Sequence, residues 1–177
     1  ANMLEWIGYT VDREYYFNDA GRQMRVLGDS VRIRYLNLLG KQIDFPEDYY
    51  QGEYIVEIAE RIKEEFGDKL ADEPAEGKFK DAAETEIFND IKKSLNLLEI
   101  HHKIFFNEKS LYEDGKIDDL LQKFKTSGLS YEKDGAVWLK LSELTGGEDK
   151  VIVKATGEPT YRLPDIAYHA VKYDRGY

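Results

Sequence analysis

Tyr161 and Asp165 stand four residues apart in the stretch TYRLPDIAYH, where a β-rich run gives way to helical spacing. A phenol offers one O–H and two lone pairs, and an ionised carboxylate accepts through two oxygens. Side by side they form a receptor for a planar cation rich in N–H donors. Both residues also have ordinary structural uses. A carboxylate in a first helical turn complements the helix dipole by about 0.3–1 kcal/mol, and a tyrosine near a strand is a half-buried aromatic. Asn18 and Asp19 occupy a second strand-to-helix junction. There they are candidates for a ligand site beyond the carboxyl end of a strand, and equally for the N-cap of the next helix, worth about 1 kcal/mol.

Other chemistry-bearing residues point to packing. His101 and His102 follow Glu99, but neighbours on a helix diverge by about 100°, so the pair cannot face one metal without a third well-placed ligand. No metal site is expected. His169 lies one helical turn after Asp165 on the same face, which suits an intrahelical interaction. Tyr49, Tyr50 and Tyr54 crowd PEDYYQGEY. Such a cluster can stack on bases or sugars, although a loop–helix junction more commonly packs its aromatics. No Gly-rich phosphate loop, Ser-His-Asp arrangement or zinc spacing is present.

The elements that must position these residues alternate in type. Val11, Arg13, Tyr15 and Phe17 alternate against Asp12, Glu14 and Tyr16, which predicts a strand over 10–17. Met24, Leu27, Val31, Leu38 and Leu39 then follow helical spacing until Gly40. Two amphipathic helices follow, one with Ile55, Ile58, Ala59, Ile62 and Phe66 on its stripe, the other with Phe79, Ala83, Ile87, Ile91, Leu95 and Leu98. Between them ADEPAEGK is an acidic loop and the strongest candidate for disorder. HKIFFNEKSLY reads as a short strand and KIDDLLQKFKTSG as a short helix. LSYEKDGAVWLKLSEL reads as a hairpin turning at Asp134-Gly135. DKVIVKATGEPTYRL adds a strand and turn, and a last helix is predicted to begin at Pro164 and end before Gly176.

Strand followed directly by helix is the signature of the α/β class. Three segments are expected: residues 1–44, a strand plus helix; 45–102, a helical insertion; and 103–177, a second α/β segment with the hairpin and the Tyr161–Asp165 junction.

The chain has 177 residues, 42% hydrophobic and 34% charged, long enough for an ordinary soluble core. No stretch approaches a membrane span, and ANMLEWIGY, with Glu5 in its apolar run and no basic flank, does not read as a secretory signal. The absence of cysteine excludes disulfides, thiolate nucleophiles and Cys-ligated zinc, and fits a reducing, cytoplasmic setting. A net charge of -10 argues against a broad nucleic-acid surface, so any such contact must be local.

TYRLPDIAYHAVKYDRGY, with DGAVWLKLSEL and DKVIVKATGEPTY before it, closely resembles the catalytic domain of bacterial-type arginyl-tRNA synthetases. EWIGYTVDREYYFNDAGRQM, YQGEYIVEIAERI and FFNEKSLY resemble the same family in the same order, so the likeness covers nearly the whole chain. The resemblance implies the class I synthetase fold, a Rossmann-like nucleotide-binding α/β domain, here partial and with a helical insertion between its halves. It implies arginine, tRNA and ATP as substrates, with Mg2+ accompanying the ATP. The arginine carboxylate attacks the α-phosphate to form arginyl-adenylate, and the arginyl group then passes to the tRNA 3' end. In the family the tyrosine and aspartate of a Y-x-x-x-D pattern hold the substrate guanidinium, and they correspond to Tyr161 and Asp165. Asn18, Asp19 and Gln23 match the N-D-x-G-x-Q segment beside the active site, with no individual contact implied. The HIGH motif should precede residue 1 and the KMSKS motif should follow residue 177, and neither occurs here. The stretch is therefore expected to be an inactive fragment with no bound cofactor, no catalytic residue of its own and little or no affinity for tRNA. The rival expectation is a non-catalytic module that binds a protein partner through its amphipathic helices.

Overall fold

A stripe of apolar side chains sets the longest contact surface near the start of the chain. In a computed structural model describing residues 1–177, a five-residue helix α1 (Asn2–Trp6) and the strand β1 (Glu14–Phe17) precede α2 (Arg22–Leu38), which buries Leu27, Val31, Tyr35 and Leu36. Helices α3 (Glu53–Phe66) and α4 (Lys78–Leu97) pack on that face. The chain divides into two units, residues 1–15 with 19–105 and residues 16–18 with 106–177. The first is organised around α2, α3 and α4.

Tyr35 shows how a polar atom is accommodated in this core. Its ring is fully buried against Phe79, while its hydroxyl donates to the Gly67 carbonyl at 2.8 Å and accepts the Leu70 N–H at 3.3 Å. Both hydrogen-bonding capacities are used, so burial of the phenol carries no desolvation penalty of an unpaired group. Ser30 is equally buried; its hydroxyl donates to Val26 O and accepts the Tyr50 N–H. Two residues before Ser30, Gly28 permits a close approach to α2, where a Cβ would lie 2.9 Å from the Ala75 carbonyl oxygen.

The strand β2 (Ile104–Asn107) pairs with β1, and in the second unit α5 (Lys109–Glu113) and α6 (Lys116–Thr126) follow. The strands β3 (Ser130–Lys133), β4 (Ala136–Leu139) and β5 (Lys150–Val153) form an antiparallel sheet in that order, with α7 (Leu141–Thr145) between the last two and α8 (Arg162–Asp174) after them. Asp134 and Gly135 both adopt positive φ, 53° and 74°, which is the backbone a two-residue hairpin turn requires. Leu111, Ile117, Leu139, Ile152, Leu163, Ala167 and Tyr168 form this unit's core. No helix is long and apolar enough to cross a membrane.

Several sequence expectations need correction. The first strand is four residues long, not eight; the preceding segment is held by side chains instead, with Arg13 donating to Glu5 and Asn2 at 2.6 Å and Lys103 to Asp12 at 2.7 Å. The ADEPAEGK loop is turn-rich and tied down, since Arg32 Nε donates to Glu73 O at 2.7 Å. KSLYE and LSELT are single helical turns rather than strand. Asp149 accepts from both the backbone N–H and the hydroxyl of Ser142, which secures the second of these and holds the Asp149 carboxyl below its ordinary range.

Candidate substrate-binding site

Tyr161 is the N-cap of α8, and the helix starts two residues before the expected Pro164. Proline is tolerated there because its missing N–H belongs to the first turn, where amides have no intrahelical partner. The preceding strand does not run straight into this helix. Residues 154–160 fold back on β5, with Thr160 N–H donating to Ile152 O at 2.8 Å and an isolated bridge joining Val153 to Pro159. Tyr161 is therefore presented from a turn and is 67% exposed, and Asp165, one helical turn on, is also exposed. The Asp165 N–H donates to Tyr161 O at 3.2 Å. The guanidinium of Arg162 lies over the Tyr161 ring, 4.7 Å from its centroid.

Two residues that the sequence reading passed over join Asp165. Tyr16, on β1, packs its ring against Tyr168 (4.5 Å) and Phe106 (6.1 Å). Its hydroxyl is buried without a hydrogen bond of sound geometry. Burial pushes this phenol far above its ordinary range, and the nearby carboxylates of Glu108 and then Asp165 push it further. Glu108, at the N-terminal end of α5, is 8% exposed, and its N–H donates to Phe17 O at 3.0 Å. Tyr112 is raised in the same way, by burial and then by Glu108. A neutral phenol thus sits in the field of two carboxylates, an arrangement that attracts a cation carrying several N–H donors. A buried glutamate leaves no periodicity signal, but FFNEKSLY does place a lone acid directly after an aromatic strand.

The Asn18–Asp19–Gln23 segment is arranged differently from the capping expectation. The N-cap of α2 is Gly21, at φ 80°, with no side-chain cap bond, so neither Asn18 nor Asp19 caps the helix. Asn18 and Gln23 are exposed, whereas Asp19 is only 4% exposed. Within the first unit the charge of Asp19 reaches Glu84 on α4. Burial is the main cause of that glutamate's raised pKa; Lys80, at 3.4 Å, opposes the rise, and Asp19 and Asp81 add to it.

His102 and the tyrosine cluster serve packing. His102 lies edge-on to Tyr15 at 5.5 Å, His101 and His169 are exposed, and no group of three or more His, Cys, Asp or Glu side chains is placed to hold a metal ion. Tyr49 meets Phe45 at 6.0 Å, Tyr50 packs on the first unit's core, and the Tyr54 ring covers Gly52.

Comparison with known proteins gives this geometry its context. The family described as tRNA synthetases class I (R), catalytic domain, matches residues 1–175. The chain is 54% identical to arginine–tRNA ligases of Desulfotalea psychrophila and Chlorobium phaeovibrioides over its whole length, which is 32% and 33% of theirs. A Campylobacter jejuni crystal structure described as an arginyl-tRNA synthetase superposes with a TM-score of 0.85 at 34% identity, covering 99% of this chain and 39% of that one. The chain spans about a third of the length of the curated relatives it matches. It is a mixed α/β stretch of a class I synthetase catalytic domain, and it belongs to the arginyl-tRNA synthetase family.

Proposed function

We propose that this chain supplies the guanidinium-binding side of an arginine site, in a cytoplasmic enzyme that activates arginine with ATP and Mg2+ and transfers it to tRNA. The observation that carries the reading is the buried Tyr16 hydroxyl, set in the field of Glu108 and Asp165. A guanidinium has donors enough to engage both carboxylates and a lone pair of the phenol oxygen, so it neutralises the charge cluster while the phenol O–H stays directed at Glu108. Tyr161, one helical turn before Asp165, offers an exposed aromatic and a further acceptor. Asn18, Asp19 and Gln23 are proposed to lie near the active site, supported by family likeness alone and without assigned contacts.

The test uses the full-length enzyme. Asp165→Asn and Glu108→Gln each remove one charge-assisted bond, worth about 1.5–3 kcal/mol, and should raise the arginine KM about 10- to 100-fold while leaving the ATP KM unchanged. Unaltered arginine KM in both variants would return the two carboxylates to a structural role.

A further inference from the structure

Helices α3 and α4 both lean on α2 and share less surface with each other, which leaves a cleft between them. Two cavities, of about 320 and 390 Å³, follow one another along it, and Arg61 and Glu86 line both. Those two side chains form an ion pair at 3.3 Å, and with exposures of 51% and 41% it is a weak, displaceable bridge. The lining is apolar at Ile62, Phe66, Ile87 and Ile91. Exposed carboxylates of Glu57, Glu65, Asp81 and Asp90 stand along the edges, opposed chiefly by Lys78, whose ammonium is drawn 5.7 Å from the Phe66 ring.

We propose that this cleft receives an amphipathic helix of a partner protein, with leucine-sized side chains on its inner face and Lys or Arg along both flanks. An apolar lining between two supporting helices is the setting in which a third helix lays down its apolar stripe. The acidic edges select the sign of that helix's flanking charge, and the net charge of -10 steers it towards the surface. The inference stands apart from the arginine site and needs none of its residues.

The probe is a labelled leucine–lysine peptide of about five helical turns, compared with a scrambled peptide of the same composition. Both are titrated by fluorescence anisotropy, at physiological salt, into the 177-residue chain and into the full-length enzyme. Both proteins should bind the patterned peptide at least about tenfold more tightly than the scrambled one. Glu57→Lys combined with Asp90→Lys should weaken binding by about tenfold or more. Asp118→Lys with Asp119→Lys, an equal charge change on α6, should alter it less than about twofold. Equal binding of the two peptides, or equal losses in the two variant pairs, would mean plain charge attraction and overturn the proposal. Binding by the short chain alone would assign the cleft to the enzyme's own remaining residues, and self-association abolished by Glu57→Lys with Asp90→Lys would assign it to a second copy. Either result also overturns it, as does no binding at all.

Discussion

Tyr16 keeps a hydroxyl in the interior whose partner is the Glu108 carboxylate, at a geometry short of a good hydrogen bond. A poorly aligned bond repays little of a buried phenol's desolvation, so Tyr16→Phe should change urea stability by less than about 1 kcal/mol. The same substitution should weaken arginine binding by the full-length enzyme, because it removes the acceptor proposed for the guanidinium. A stability loss above about 1 kcal/mol in the denaturation midpoint would show instead that the hydroxyl supports the fold. Burial and the neighbouring carboxylates raise its pKa, so the phenol stays neutral across the physiological range. At this scale the sequence was legible in part. Tyr161 and Asp165 stand out as candidates by residue type and family likeness, whereas Tyr16 looked like one more strand aromatic and Glu108 like one acid among many. The grounds for proposing the latter two are burial and proximity between distant parts of the chain, which spacing does not encode.

At the scale of elements, two glycines separate backbone constraint from side-chain constraint. A Cβ at Gly28 would meet the Ala75 carbonyl at 2.9 Å and Lys80 Cβ at 3.0 Å. Backbone cannot swing aside, so Gly28→Ala should cost about 1–3 kcal/mol despite alanine's better helix propensity. A Cβ at Gly52 would instead strike only the Tyr54 ring, a side chain 40% exposed and free to turn outward. Gly52→Ala should therefore change stability by less than about 1 kcal/mol. Thermal melts of the two variants check the contrast, and equal shifts would refute it. Periodicity located α2, α3, α4 and the Asp134-Gly135 hairpin because apolar spacing and turn chemistry are local signals. It missed the start of α8, since a proline fits anywhere in a first turn, and the single turns α5 and α7, which are too short to display a period.

For the molecule as a whole, charge is the dominant fact: 25 basic residues stand against 35 acidic ones. Several of the basic ones are in ion pairs, among them Arg13 with Glu5, Lys80 with Glu84 and Lys103 with Asp12. The net charge of -10 opposes a phosphate backbone across most of the surface. The 177-residue chain should give no shift of tRNA in gel titrations at micromolar protein and physiological salt, with weak binding emerging only as salt is lowered. Sub-micromolar binding at physiological salt would contradict this and reveal a basic face. The family and the mixed α/β class were legible from the sequence because matching stretches recur along nearly its full length.

Arg162 gives the α8 junction a built-in decoy. Its guanidinium already rests on the exposed Tyr161 ring, so a free arginine that uses this aromatic surface must first evict a chemically identical group from the neighbouring residue. A cation–π contact at an exposed site is worth about 0.5–1 kcal/mol, which amounts to a two- to fivefold tax on apparent affinity. The contact is tethered and weak, so it should yield to a ligand that Glu108 and Asp165 also hold, as the proposed arginine site requires.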